Sequence, residues 1–158
     1  MRYLKSSILL LATSTIFLIF TSCKDNSTSS DDISVEITDG SAAVIELNTC
    51  DIDSGSFATE FRFTLQLDAP SDVDIDGIEF DVTFQSGAEI SSLLQDNFNR
   101  SDQTVQFDYC FRYGSHGDWF ELNLKILAED EEIESNEYTI RVDRPEGANK
   151  GIISSGKN

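Results

Sequence analysis

The sequence predicts an all-β protein, an antiparallel two-sheet sandwich of about seven strands lying between residues 33 and 144. Three observations carry that expectation. From Ile33 onward apolar side chains recur at every second position, the period of a strand with one buried face. Clusters of Gly, Ser, Asp and Asn separate the alternating runs, as turns require. Only residues 88–96, AEISSLLQD, read as a helical turn or two.

The elements follow in order. Ile33, Val35 and Ile37 form a first alternating run, and Thr38-Asp39-Gly40-Ser41 reads as the turn after it. Ala43, Ile45 and Leu47 form a second run with Val44 and Glu46 on the other face, ending near the turn Asp53-Ser54-Gly55-Ser56. Phe61, Phe63, Leu65 and Leu67 make a third, interleaved with Arg62, Thr64 and Gln66. Ile78, Phe80, Val82 and Phe84 make a fourth, closed by Gln85-Ser86-Gly87. Val105, Phe107, Tyr109 and Phe111 share a face in the fifth, and Phe120, Leu122, Leu124 and Ile126 in the sixth. Tyr138, Ile140 and Val142 complete the set, with Pro145 and Gly147 ending the strand and a small polar tail at 145–158.

Before the sandwich, Met-Arg-Tyr-Leu-Lys is a positive start and Ser7 to Phe20, SILLLATSTIFLIF, is an uncharged apolar run. The pair has the form of a secretory signal segment. The run is shorter than the roughly 20 residues that a spanning helix needs. Thr21 and Ser22 precede Cys23, and this junction resembles the bacterial lipobox, with Phe20 where leucine is the usual residue. The resemblance implies removal of residues 1–22, a diacylglyceryl group on the Cys23 thiol, and a tether at 23–32. Two or more acyl chains give stable anchoring. Lys24-Asp25 is similar to the lysine-acid export signal of Bacteroidota surface lipoproteins, which implies an outer-membrane protein on the cell surface, with the periplasmic side as the alternative.

Removing residues 1–22 leaves nine basic side chains against 29 acidic ones, a formal net charge of about -20. Such a surface repels phosphate backbones, so nucleic acid is not an expected partner. It repels anionic headgroups too, which leaves the acyl chains as the contact with the membrane. About 136 residues suffice for one domain with a true core.

The final segments, FELNLKILAED and SNEYTIRVDRP, are similar to the last hairpin of immunoglobulin-like and fibronectin type III-like domains. The resemblance spans residues 33–144 and implies an Ig-like sandwich. It departs from antibody domains in two ways: Trp119 follows the second cysteine, and Asp108 stands where a tyrosine would precede it.

With Cys23 lipidated, Cys50 and Cys110 remain as a pair, and export to an oxidising compartment makes them a disulfide. Cys110 points away from the face shared by Tyr109 and Phe111, which places the bridge at an edge or on the outside. The run SDVDIDG sets Asp72, Asp74 and Asp76 ahead of Gly77, the start of a calcium-loop spacing, with Asp51 and Asp53 as further candidate ligands. Thr83 occupies the twelfth position, where a bidentate glutamate belongs, so the alternative is a solvated acidic face.

The only histidine, His116, sits in the turn Gly114-Ser115-His116-Gly117 with no nucleophile motif nearby, so no catalytic residues are assigned. One histidine also argues against zinc. Tyr109, Tyr113 and Trp119 surround that turn and are candidates for an aromatic platform that would bind a sugar ring or a peptide; the alternative is ordinary edge covering. The sequence therefore reads as a non-enzymatic, membrane-anchored lipoprotein with a binding or accessory module for a glycan or protein at the cell surface. A structural or envelope-assembly subunit of an outer-membrane complex is the second reading and a small hydrolase the third.

Overall fold

The alternation resolves into nine strands in two antiparallel sheets, seen in a computed structural model that describes residues 33–53 and 56–148. The signal segment, Cys23, the tether and residues 149–158 of the expected tail lie outside the described residues.

The strands are β1 (Glu36–Asp53), β2 (Ser56–Asp68), β3 (Ile75–Phe84), β4 (Glu89–Gln95), β5 (Asn99–Ser101), β6 (Thr104–Phe111), β7 (Trp119–Ala128), β8 (Ile133–Glu134) and β9 (Tyr138–Asp143). One sheet has the order β1-β2-β6-β5. The other runs β4-β3-β7, with β8 and β9 both paired to the far side of β7.

The inward faces are those the alternation marks. Phe61, Phe63, Leu65 and Leu67 of β2 and Val105, Phe107 and Phe111 of β6 are buried from one side. Ile78, Phe80, Val82 and Phe84 of β3 and Phe120, Leu122, Leu124 and Ile126 of β7 meet them from the other. Tyr109 and Tyr138 are partly buried against this core.

Three expectations are corrected. Residues 88–96 contain a strand: β4 pairs with β3 from Ile78 opposite Gln95 to Thr83 opposite Glu89. The tight turn at Ser86-Gly87, where Gly87 has φ 81°, returns the chain onto β3, and this pairing outweighs local helical preference.

The first two expected strands are one long β1; in place of the turn at Thr38–Ser41 there is a bulge at Thr38, after which Asp39, Gly40 and Ser41 pair regularly with β2. Gly40 is required for close approach: a Cβ there would lie 2.8 Å from Tyr138 Cε1 and 2.9 Å from Ile140 Cδ1.

Thirdly, Ala43, Ile45 and Leu47 do not face inward. Register shifts after Ile37, Val44 and Glu46 break the alternation of faces. The strand also leaves the shelter of the second sheet, for the neighbours Val44 and Ile45 are 42% and 43% exposed. Leu47 and Phe57 are likewise exposed.

The described start of the tail is tied to β1. Residues 145–148 form a turn, Ala148 N to Pro145 O, and the Gly147 carbonyl accepts a hydrogen bond from Asn48 Nδ2 at 2.7 Å.

Side-chain amides close two gaps in the backbone pairing. Asn136 Oδ1 accepts from Ile37 N at 2.6 Å, while its Nδ2 donates to Ile37 O at 3.1 Å. One amide thus does for β1 what a neighbouring strand would do, and it joins the two sheets. Gln103 treats Ala69 in the same manner, accepting from its N at 3.2 Å and donating to its O at 2.7 Å.

Cys50 and Cys110 form a disulfide with Cα atoms 6.2 Å apart. They sit on β1 and β6, with β2 between, so regular strand spacing would hold them about 10 Å apart. A bulge in β1 accompanies this closer approach. Between Glu46 opposite Glu60 and Cys50 opposite Ala58, β1 uses four residues where β2 uses two. Asn48, at φ 57°, sits inside it.

Replacing both Cys50 and Cys110 with Ala opens a 60-residue connection and is expected to cost about 4 kcal/mol of unfolding free energy, read from urea titration. Asn136→Ala leaves both backbone groups of Ile37 without their partner. It should cost about 1–3 kcal/mol and speed hydrogen exchange at the Ile37 amide while leaving that of Phe63 slow.

Candidate functional site

Of the aspartates expected to bind calcium, Asp72, Asp74 and Asp76 form no group that could hold a metal ion, and the side chains of Asp51 and Asp53 lie outside the described residues. Asp72 and Asp74 are exposed, and Asp76 Oδ2 already accepts a hydrogen bond from Glu131 N at 3.1 Å. The segment instead serves to dock the β7–β8 turn: Asp74 N donates to Glu129 Oε1 at 3.1 Å, and Glu129 N to Asp74 O at 3.0 Å. Among the described residues no three His, Cys, Asp or Glu side chains are grouped so as to hold a metal ion. Adjacent carboxylates in an extended chain point to alternate sides only at odd spacing, so even spacing alone aligns them without making them converge.

The three aromatic rings do not form a platform either. Tyr113 is 1% exposed, its hydroxyl donates to Asp143 O at 3.4 Å, and burial pushes its phenol well above the ordinary range. Tyr109 turns its ring onto Phe80 and Phe111, with centroids 5.2 Å and 4.8 Å away. Trp119 stays on the outer face of β7, where the Arg141 guanidinium lies 4.3 Å from its ring centroid. The core claims two rings and an arginine covers the third. His116 stacks on Phe84 at 4.6 Å in a 3-10 turn, Gly114–His116, that plugs the end of the sandwich.

A site does form where no single stretch of sequence announces it. β5 pairs with β6 only from Asn99 opposite Gln106 to Ser101 opposite Thr104, so the β6 edge from Phe107 onward is left open on that side. Facing it is the connection that crosses from β4 to β5. Between them lies a cleft of about 350 Å³, within the range of small-ligand sites. Gln95 at the end of β4, Asn97 and Phe98 of the crossing segment and Asn99 at the start of β5 line it on one side, with Gln106 and Asp108 from β6 and Arg62 from β2 on the other.

Arg62 and Asp108 stand opposite each other across β2 and β6. The pair is bidentate, with Nε to Oδ1 and Nη2 to Oδ2 both at 2.9 Å. The Arg62 hydrogen bonds hold the Asp108 carboxyl below the usual carboxylate range, and the same contact raises the guanidinium further. Charge is thereby cancelled inside the cleft. Gln95 Nε2 donates to Asn97 O at 2.7 Å and shapes the crossing segment. The exposed side chains of Asn97, Asn99 and Gln106 make no hydrogen bond to other described residues. Phe98 packs partly against the core and supplies the one apolar ring of the crossing segment.

The local signal for this cleft is QDNFN at residues 95–99, two asparagines around an aromatic. Its other half, Gln106 and Asp108 with Arg62, joins only through strand register, which the sequence does not display.

No family model, curated protein or solved structure matches this chain. Among the described residues no helix is long and apolar enough to cross a membrane.

Two outcomes test this description. Calorimetric titration with calcium is expected to give no saturable heat, and thermal midpoints in calcium and in chelator should coincide. For Asp108, the folded pKa lies below the unfolded value of about 3.9. Its contribution to stability is complete above that value and is lost as pH falls through the folded pKa. Asp108→Asn should therefore flatten the acid limb of stability against pH, with no change between pH 6 and 8 in the slope.

Proposed function

We propose that this chain is a lipid-anchored, non-enzymatic binding module of the bacterial outer membrane with an Ig-like domain facing the cell surface. The observation that carries the binding role is the charge-cancelled cleft beside the open β6 edge, whose amides have hydrogen-bonding capacity left over. The anchor rests on the apolar run before Ser22-Cys23, and the surface address on Lys24-Asp25.

Support for the Ig-like assignment comes from strand order. The order β1-β2-β6-β5 coincides with A-B-E-D of an immunoglobulin sandwich, and β4-β3-β7-β9 with C′-C-F-G. The cysteines differ from the antibody arrangement: Cys50 and Cys110 join strands of one sheet, whereas the antibody bridge joins two sheets.

A second reading, a structural or assembly subunit of an outer-membrane complex, is favoured by the arm formed by the far halves of β1 and β2. It shows Val44, Ile45, Leu47 and Phe57 to solvent, more large apolar side chains than any other exposed stretch of the described residues.

The anchor is tested by mass spectrometry and fractionation. An acylated fragment beginning at Cys23 is expected, and Cys23→Ser should move the protein from the membrane to the soluble fraction. Protease added to intact cells should remove the domain if it faces outward. Crosslinking followed by co-purification of one stoichiometric membrane protein, abolished by Leu47→Asp with Phe57→Asp, would favour the assembly reading.

A further inference from the structure

We infer that the cleft between β6 and the β4–β5 crossing is a site for a neutral saccharide, an inference that rests on the binding-module reading and names its ligand class.

Charge narrows the ligand class first. The only cation lining the cleft, Arg62, has two of its donors committed to Asp108 at 2.9 Å, and Asp108 is held ionised by the same contact. An anionic ligand would meet a neutralised pair in a chain of net charge -18, with long-range repulsion added. A free cation would compete with Arg62 for a carboxylate already engaged on both oxygens. Apolar ligands would strand the amides without partners, at the desolvation cost of every polar group they cover. An uncharged, hydroxyl-dense molecule remains.

Hydrogen-bond capacity points the same way. Each sugar hydroxyl brings one donor and two acceptor lone pairs, and each primary amide brings two donors and an oxygen with two lone pairs. Asn97, Asn99 and Gln106 offer three such amides with no other described partner. The ionised Asp108 has about four lone-pair positions, of which Arg62 uses two, so it accepts from hydroxyls as well. Phe98 adds an apolar surface against which the C–H face of a pyranose ring can lie. The cleft is open to solvent along the β6 edge, so a unit within a longer chain fits as well as a chain end.

Rigidity favours the assignment. Asn99 is fixed opposite Gln106 by the β5–β6 ladder. Next to it Arg100 donates to the carbonyls of Val73 and Pro70, the latter at 3.0 Å, which fastens β5 to the β2–β3 loop. The backbone that carries these amides is therefore ordered before binding, and only side-chain freedom is lost when a ligand arrives.

The test is affinity electrophoresis of the full-length protein in detergent. The gels contain glucan, mannan or xylan as neutral polymers, or pectate or a sulfated galactan as charged ones, with a polyasparagine-containing peptide conjugate as a further arm. Retardation by a neutral polymer is expected. Asn99→Ala and Gln106→Ala should each weaken it about three- to tenfold, and Arg62→Ala with Asp108→Ala should abolish it. Trp119→Ala should leave it unchanged. Circular dichroism and urea midpoints of the exposed Asn99 and Gln106 variants serve to show that folding is intact. Retardation only by a charged polymer or the peptide, lost in the same variants, would overturn the neutral-saccharide inference while keeping the cleft as the site. Absence of retardation throughout, or retardation indifferent to the cleft substitutions, would overturn both.

Discussion

The packing of phenylalanine rings between the two sheets is the constraint on which everything else in this molecule depends. Phe61 of β2 touches Phe63, Phe111, Tyr113 and Phe120, with centroids between 5.8 Å and 6.3 Å away and mostly tilted or edge-on planes. Phe111 stacks on Phe120 at 4.2 Å across the interface. Such rings bury large areas and accept few alternative arrangements, so they set the separation and the register of β2, β6, β3 and β7 together. The Arg62–Asp108 pair and the Asn99–Gln106 pair are consequences: each lies on the outer face of a strand whose inner face these rings hold in place.

That dependence explains what could be read from the residues alone. Alternation marks the inward set of β2, β3, β6 and β7 because both sheets bury one full face each, and period two is then imposed by solvent itself. β1 obeys a different rule. Its bulges shift the parity three times, and its far half has no opposing sheet, so the apolar positions Ala43, Ile45 and Leu47 carry no information about an interior. β4 shows how tertiary pairing overrides a short ambiguous run, since EISSLLQ has neither a clean alternation nor a clean helical stripe.

The cleft was illegible for a related reason. Its residues come from four strands and one crossing segment, and amides are common on any surface. The bonds that Asn136 and Gln103 make to backbone are equally invisible, for an amide in a loop gives no sign of which edge it will cap. The aspartate run and the three aromatic residues misled in the opposite direction. Their proximity in sequence suggested proximity of function, whereas the fold uses Asp76 to hold a turn and Tyr113 to fill the interior. The pairing of Cys50 with Cys110 was legible because simple counting, once Cys23 is set aside, leaves one partner each.

That count has a kinetic side. If the chain is exported as proposed, Cys50 emerges well before Cys110, and Cys23 is less than half as far from it along the chain. Shorter loops close with less entropy, so an unmodified Cys23 would be the first thiol Cys50 meets. The proposed acylation would convert that rival to a thioether, which cannot exchange. Attachment of the lipid would then act as a proofreading step, guarding Cys50 against mispairing until β6 arrives to claim it.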